Sequence, residues 1–123
     1  MDNSGGLKIQ TRQLDDATVI IELNGEMDIY TTARVKELMA QLLEKGCRNL
    51  IINLHHVDYL DSTGLGMLIG TLRRAREYGG CLRLVAPRSH VRRLLEITHL
   101  TFAFPIDATE QEAADLIHNT KTG

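Results

Sequence analysis

The hydrophobic pattern changes its period after residue 25, and this change limits the folds open to the chain more than any other feature. Before that point, residues 7–11 alternate apolar and polar side chains and residues 17–24 are β-branched and apolar, which predicts two strands joined by a short turn. After it, apolar residues recur at helical spacing in four stretches, separated by short apolar runs typical of buried strands. The helical stretches are 35–43, 65–72, 91–98 and 113–117, and the strands are 49–54, 81–85 and 102–104.

The resulting order of elements, ββαβαβαβα, predicts an α/β fold. Helices that alternate with strands imply parallel neighbours joined by right-handed crossovers, whereas the first two strands form an antiparallel hairpin. A chain of 123 residues suits one domain. We therefore predict a single small domain over residues 7–118, in which α-helices pack on a mixed β-sheet. Residues 1–6 are predicted to form a flexible, glycine-rich tail and residues 119–123 a C-terminal tail.

Charge and composition exclude several classes of function. The formal net charge is −2, aromatic residues make up 4% of the chain and Trp is absent, so direct binding of nucleic acid is not expected, although seven arginines fall within residues 62–105. No apolar run approaches the ~18 residues that span a bilayer, and the N-terminus lacks the apolar core of a signal peptide. A cytoplasmic protein without membrane contact is expected, with Cys47 and Cys81 as buried free thiols.

Two polar segments follow predicted strands and are expected to share one edge of the sheet. They are residues 25–31 and 57–66, and ligands of such folds gather at the carboxyl ends of parallel strands. In the second segment, Asp61 or Ser62 is positioned to cap the following helix. A phosphate on the Ser62 hydroxyl would meet the backbone N–H groups and the positive dipole end of that helix. We therefore expect Asp28, Asp61 and Ser62 to lie together, with Ser62 either only a cap or a modification site.

Gly64 and Gly66 lie in the first turn of the same predicted helix. Glycine at such a position is less favourable than alanine by ~1 kcal/mol. This cost indicates either that another group approaches the backbone closely or that the helix packs tightly on a neighbour.

The motifs of several enzyme classes fail in this sequence. Residues 64–70 place three glycines almost as in a dinucleotide-binding loop, but the third is one residue late and no acidic residue follows about 20 positions further on. A nucleophile elbow would need glycine where Leu60 stands. His55 and His56 are adjacent rather than four residues apart, so they do not have the spacing of a helical metal site. We predict no catalytic residue, no cofactor site, no metal site and no enzymatic activity.

Two motifs make the chain similar to a known family. Residues 25–28 (GEMD) and 61–66 (DSTGLG) resemble the anti-sigma factor antagonists, which are single-domain members of the STAS family. The resemblance implies that Ser62 is phosphorylated by a serine kinase that is itself the anti-sigma factor, and that Asp28 is the acidic residue near the acceptor. It also implies that the unphosphorylated form binds this kinase and frees the sigma factor, and that a serine phosphatase resets the switch.

The partner-binding residues that the resemblance implies are Asp28, Asp61, Ser62, Thr63 and Gly64. Because Asp28 lies in a polar loop, it is expected to contribute to this site and little to stability. Three other functions remain open on the sequence alone. They are a STAS module in a pathway that controls something other than a sigma factor, a regulatory module that binds a nucleotide at the glycine-rich turn, and a small hydrolase that uses Ser62. The failed nucleophile elbow argues against the hydrolase.

Overall fold

The computed structural model describes residues 6–122 and the side chains of residues 6–119. Its elements follow the predicted order, with one short 3₁₀ helix added. They are β1 (Leu7–Gln13), β2 (Thr18–Met27), α1 (Thr32–Glu44), β3 (Asn49–Leu60), α2 (Ser62–Glu77), β4 (Cys81–Val85), α3 (Ser89–Ile97), the 3₁₀ helix (Leu100–Phe102), β5 (Ile106–Asp107) and α4 (Glu110–Thr122). The predicted α/β fold is confirmed.

The five strands of the described chain form one mixed sheet in the order β1-β2-β3-β4-β5. β1 pairs antiparallel with β2, and every other neighbouring pair is parallel. Each connection between parallel strands passes through a helix, because a short turn cannot return the chain to the start of the next strand. Consequently β2, β3, β4 and β5 all end at the same edge of the sheet.

Helices cover both faces of the sheet, a point that the sequence pattern left undecided. On one face α1, α2 and α3 bury apolar side chains such as Met39, Leu68 and Leu95 in the larger core. On the other face α4 packs Ile117 into a smaller cluster that contains Ile51 of β3. None of the helices in residues 6–122 combines the length and the apolar character needed to span a membrane.

The predicted strand at 102–104 is wrong. Phe102 ends the 3₁₀ helix with 90% of its surface exposed, and β5 begins only after Pro105. His99 adopts a left-handed conformation (φ 61°), which turns the chain out of α3 before the 3₁₀ helix. Phe104 is buried but does not belong to a strand. The spacing of Phe102 and Phe104 around Ala103 resembles the alternation of a strand, and this explains the wrong prediction.

β2 and β3 continue further than predicted. β2 ends at Met27 and β3 at Leu60, so part of each polar segment is strand. Gly25 does not end β2, since it continues in the strand with φ +128°, and a Cβ atom there would lie 1.8 Å from the Gly6 carbonyl oxygen. The Glu26 N–H donates to that same carbonyl at 2.9 Å. Glycine is therefore required where the chain entering β1 crosses close to β2.

The ends of the chain differ in part from the predicted tails. Residues 1–5 and Gly123 lie outside the described residues, and Gly6 is held against β2 by the hydrogen bond from Glu26. α4 continues through residues 119–122, a segment predicted to be tail. Cys47 is buried as expected, whereas Cys81 is only partly buried, and neither forms a disulfide.

Gly25→Ala is expected to lower the free energy of unfolding by about 3 kcal/mol, because the added methyl group meets the Gly6 carbonyl and the positive φ disfavours an L side chain. Gly66→Ala is the matched control. Nothing lies within 4 Å of its ideal Cβ position, so this change within a helix should raise stability by up to ~1 kcal/mol. Urea unfolding of both variants measures the difference, and a Gly25→Ala protein as stable as the parent would contradict the close approach.

Candidate functional site

The candidate site lies where two neighbouring parallel strands end. Met27 pairs with Leu60 as the last residues of β2 and β3, so Asp28 and Asp61 leave the sheet side by side. The Asp61 N–H donates to the Met27 carbonyl at 3.2 Å and continues the ladder by one bond. The structure thus brings the two predicted segments together at one edge, as expected from the topology.

Asp61, rather than Ser62, caps helix α2. Its backbone is extended and its Oδ1 accepts a hydrogen bond from the Gly64 N–H at 3.1 Å, while its carbonyl accepts the Leu65 N–H at 3.0 Å. Ser62 is the first residue of the helix, its side chain is exposed, and no hydrogen bond joins its hydroxyl to another described residue. The Ser62 hydroxyl therefore has no structural task and is open to another protein.

The two glycines of the turn serve different purposes. A Cβ atom on Gly64 would lie 2.6 Å from Leu60 Cδ1 and 3.2 Å from the Met27 carbonyl oxygen, so tight packing explains this glycine. Gly66 faces open space, with nothing within 4 Å of its ideal Cβ position. At Gly66, therefore, the structure shows neither a group that approaches the backbone closely nor tight packing on a neighbour, the two explanations that the sequence suggested.

Asp28 organises the loop between β2 and α1 as well as lining the edge. Its Oδ1 accepts the N–H groups of Tyr30 at 2.9 Å and Thr31 at 3.0 Å. The Thr31 hydroxyl in turn donates to the Glu26 carbonyl at 2.7 Å and accepts the Asp28 N–H at 3.0 Å. The N–H of Thr31 is the main cause that holds the pKa of the Asp28 carboxyl below its ordinary value of 3.8, against a smaller opposing effect of desolvation. The spacing Asp-x-x-Thr, typical of a self-bonded turn, was the sequence signal for this role.

Apolar side chains surround the polar centre of the site, and the sequence analysis missed them. Ile29, Tyr30 and Tyr59 are exposed by 57%, 79% and 49%. Aromatic and aliphatic groups of this kind are the usual anchors of protein–protein interfaces. Asp58, a further acid of the segment, forms an exposed ion pair with Arg88 at 2.6 Å, and such a pair contributes little to stability.

Metal or acid–base chemistry at the site would depend on metal ligands and histidines among the described residues around it. No cluster of three or more potential metal ligands occurs in the part of the chain that the structure describes. His55 and His56 lie on β3 with their rings in contact, 4.9 Å between centroids. No described histidine forms a hydrogen bond with the Ser62 hydroxyl, and His118 contacts Asp15 instead.

Comparison with known sequences gives one consistent result. The family model of the STAS domain matches residues 8–113. An anti-sigma-B factor antagonist of Staphylococcus aureus is 35% identical over 80 residues, which cover 65% of this chain and 74% of that protein. An anti-sigma-B factor antagonist of Staphylococcus epidermidis is 33% identical over 94 residues, which cover 76% of this chain and 86% of that protein.

Solved structures show the same fold. The anti-sigma factor antagonist SpoIIAA in its unphosphorylated form matches with a TM-score of 0.82 and 26% identity, over 91% of this chain and 97% of that chain. The phosphorylated form of SpoIIAA, a cell fate determinant of Bacillus, matches with a TM-score of 0.75 and 25% identity, over 89% of this chain and 99% of that chain.

Asp28→Ala is expected to lower the free energy of unfolding, because it removes the acceptor of two loop N–H groups. Asp28→Asn retains one acceptor oxygen, so its free energy of unfolding should lie between that of Asp28→Ala and that of the parent. The lowered pKa gives the sign of the pH dependence. The stabilisation that the charged Asp28 carboxylate provides is fully present above the ordinary carboxyl pKa. It is lost as the pH falls through the lower pKa that this carboxyl has in the folded protein. Urea unfolding from pH 7 down to about pH 3 measures this.

The gap in stability between the parent and Asp28→Asn should therefore close on acidification, while Asp28→Ala stays below both. Three equally stable proteins at pH 7 would contradict the role of Asp28 in the loop.

Proposed function

This chain belongs to the STAS domain family, and we propose that it is an anti-sigma factor antagonist whose binding is switched by phosphorylation of Ser62. The unphosphorylated form binds a serine kinase that is itself an anti-sigma factor, and the sigma factor is released. Phosphorylation ends the complex, and a serine phosphatase restores the binding form. The protein acts in the cytoplasm as a binding module, without touching nucleic acid or catalysing a reaction.

The observation that carries this proposal is the exposed, unbonded hydroxyl of Ser62 at the start of α2. A kinase must bring the acceptor hydroxyl to the γ-phosphate of ATP, so an exposed hydroxyl that makes no hydrogen bond within the protein is well suited as an acceptor. Because Asp61 makes the cap, modification of Ser62 leaves the capping hydrogen bond in place. The positive end of the helix dipole favours the added charge of about −1.5 to −2. The site can therefore change its charge without unfolding the helix.

The relatives support the same function. The two staphylococcal proteins bear the name of anti-sigma-B factor antagonists, and SpoIIAA has been solved with and without phosphate. Those are properties of the relatives. The properties of these relatives are consistent with two features of this chain, the accessible Ser62 and the acidic and apolar side chains beside it at the edge of the sheet.

The proposed docking surface consists of Asp28, Asp61, Ser62 and Thr63 with the exposed apolar residues Ile29, Tyr30 and Tyr59 around them. The apolar residues supply the area buried in the complex, since truncating such anchors commonly costs 2 kcal/mol or more, as order-of-magnitude values. The carboxylates orient the kinase. Gly64 is buried, so its part is to hold the turn against Leu60 and Met27 rather than to touch the partner.

Phosphorylation weakens the complex by charge and bulk. Two like unit charges ~8 Å apart at an effective dielectric constant of ~20 repel by ~2 kcal/mol, and a phosphate roughly doubles this. After screening by salt, ~3 kcal/mol remains, which lowers affinity on the order of a hundredfold. No rearrangement of the fold is needed, because the phosphate is added at the surface that the kinase covers.

Ser62→Ala is expected to bind the kinase and to stay bound, since it cannot be phosphorylated, whereas Ser62→Asp should bind more weakly. Ser89→Asp is the matched control, because Ser89 is also an exposed serine at the first position of a helix, but at the start of α3. Calorimetric titration of the unmodified protein, its phosphorylated form and the three variants against the kinase, with ADP and Mg²⁺ constant, measures the five affinities. Equal affinity for the unmodified protein, its phosphorylated form and Ser62→Asp would contradict the switch.

If a kinase is captured and phosphorylates Ser62 but controls something other than a sigma factor, the switch stands and its pathway differs. The nucleotide-binding and hydrolase alternatives predict, respectively, retention of a nucleotide in equilibrium dialysis and reaction of Ser62 with a fluorophosphonate. Either result would replace the proposal.

A further inference from the structure

A groove separates α1 from α2 on the outer side of the larger core. Its volume is about 460 Å³. Both helices begin at the edge of the sheet that carries the candidate site and run back alongside each other, so the groove starts near Thr63 and ends near Leu43 and Arg74. From Thr63 to Arg74 the helix advances by about 17 Å. The volume lies within the range of sites that bind small molecules.

Glycines keep the groove open. Gly66 and Gly70 both line it, and nothing lies within 4 Å of the ideal Cβ position of either. Helical glycines of this kind weaken a helix without any local need for glycine. The apolar lining includes the exposed Ile29 and the largely buried floor residues Met39, Leu43 and Met67. The groove thus offers an elongated apolar surface that ordinary side chains at two positions would fill.

The charges of the groove have one sign. Lys36 and Arg74 line it, no aspartate or glutamate does, and neither cation forms an ion pair with a described acidic side chain. An apolar surface flanked by two unpaired cations is complementary to an apolar molecule that carries an acid group.

A buried hydroxyl points to the same class of ligand. Thr32 lines the groove and is 2% exposed, and its Oγ1 is the buried side-chain polar atom that finds no hydrogen-bond partner among the described residues. Unsatisfied buried polar groups are rare in folded proteins. Thr32 and Lys36 are four residues apart on α1, which makes them neighbours on one face of the helix.

From these observations we infer that the α1–α2 groove binds a small amphipathic anion, an unbranched carboxylate whose acid group pairs with Lys36 and, after a small shift of the groove wall, bonds the buried Thr32 hydroxyl. Its hydrocarbon chain lies along Gly66 and Gly70, above the floor formed by Met39, Leu43 and Met67. The groove does not include Ser62, but Ile29 and Thr63 line both the groove and the proposed docking surface. The inference does not depend on phosphorylation of Ser62. Arg74 closes the far end of the groove.

Calorimetric titration with decanoate, below its micelle concentration, tests the inference, and decyltrimethylammonium provides a chain of similar length with the opposite charge. Saturable binding of decanoate and none of the cation are expected. Lys36→Gln should weaken decanoate binding about tenfold, whereas Lys45→Gln, an exposed lysine at the end of α1 that does not line the groove, should change nothing.

Two further variants separate the groove from general effects on folding. Thr32→Val removes the unpartnered hydroxyl, so it should weaken binding about fivefold while the melting temperature stays the same or rises. Gly70→Leu fills the groove and should abolish binding without lowering the melting temperature.

Absence of saturable decanoate binding, equal binding of the cation, or equal effects of Lys36→Gln and Lys45→Gln would overturn the inference. If decanoate does not bind and Gly70→Leu prevents capture of a protein partner, the groove is a protein docking surface and the inference is wrong.

Discussion

β2 and β3 pair in parallel along almost their whole length, from Thr18 with Asn49 to Met27 with Leu60, and the position of the candidate site depends on this pairing. Since both strands end at the same level, Asp28 and Asp61 emerge next to each other without any contact between distant loops. The helices that follow must then start at the same edge and run back side by side. The pairing of β2 with β3, which includes two register shifts between Glu22 and Glu26, therefore sets the site, the direction of α2 and the groove between the helices.

The proposed switch also depends on how the first turn of α2 packs against the sheet. Gly64 lets the first turn rest on Leu60 and Met27, and Asp61 satisfies the N–H group of that same glycine. These two contacts hold the start of the helix without using Ser62. A hydroxyl that stabilises nothing can gain and lose a phosphate at little cost to the fold, which is the physical basis of the proposed switch. In the proposed switch, the phosphate acts on the partner and not on the protein that carries it.

Much of this could be predicted from the sequence, because the determinants are local. The change of hydrophobic period gave the order of elements, and the polar segments after two parallel strands located the edge of the sheet. Three features depended on contacts that no local pattern records. The left-handed turn at His99 displaced β5, the tertiary packing of Gly64 became visible only beside Leu60, and the exposure of Tyr30 and Tyr59 could not be separated from burial by residue type.

The groove was beyond sequence reasoning for the same reason. Residues 32 and 36 lie on one helix and residues 66 and 70 on the next, and only the parallel arrangement of the two helices brings them to one surface. The role of Asp28 was predicted only in part. Its place on the edge was predicted, but its hydrogen bonds to the loop were overlooked, although the Thr three residues later signalled them.

The central claim is that the charge on Ser62 decides whether this protein can displace a sigma factor from its kinase. The most direct measurement uses a reconstituted complex of a fluorescently labelled sigma factor with the kinase, to which the protein is added in unphosphorylated or Ser62-phosphorylated form while fluorescence anisotropy is followed. The account predicts release of the sigma factor by the unphosphorylated form and at least about a hundredfold more of the phosphorylated form for the same release. Release at the same concentration by both forms would contradict it.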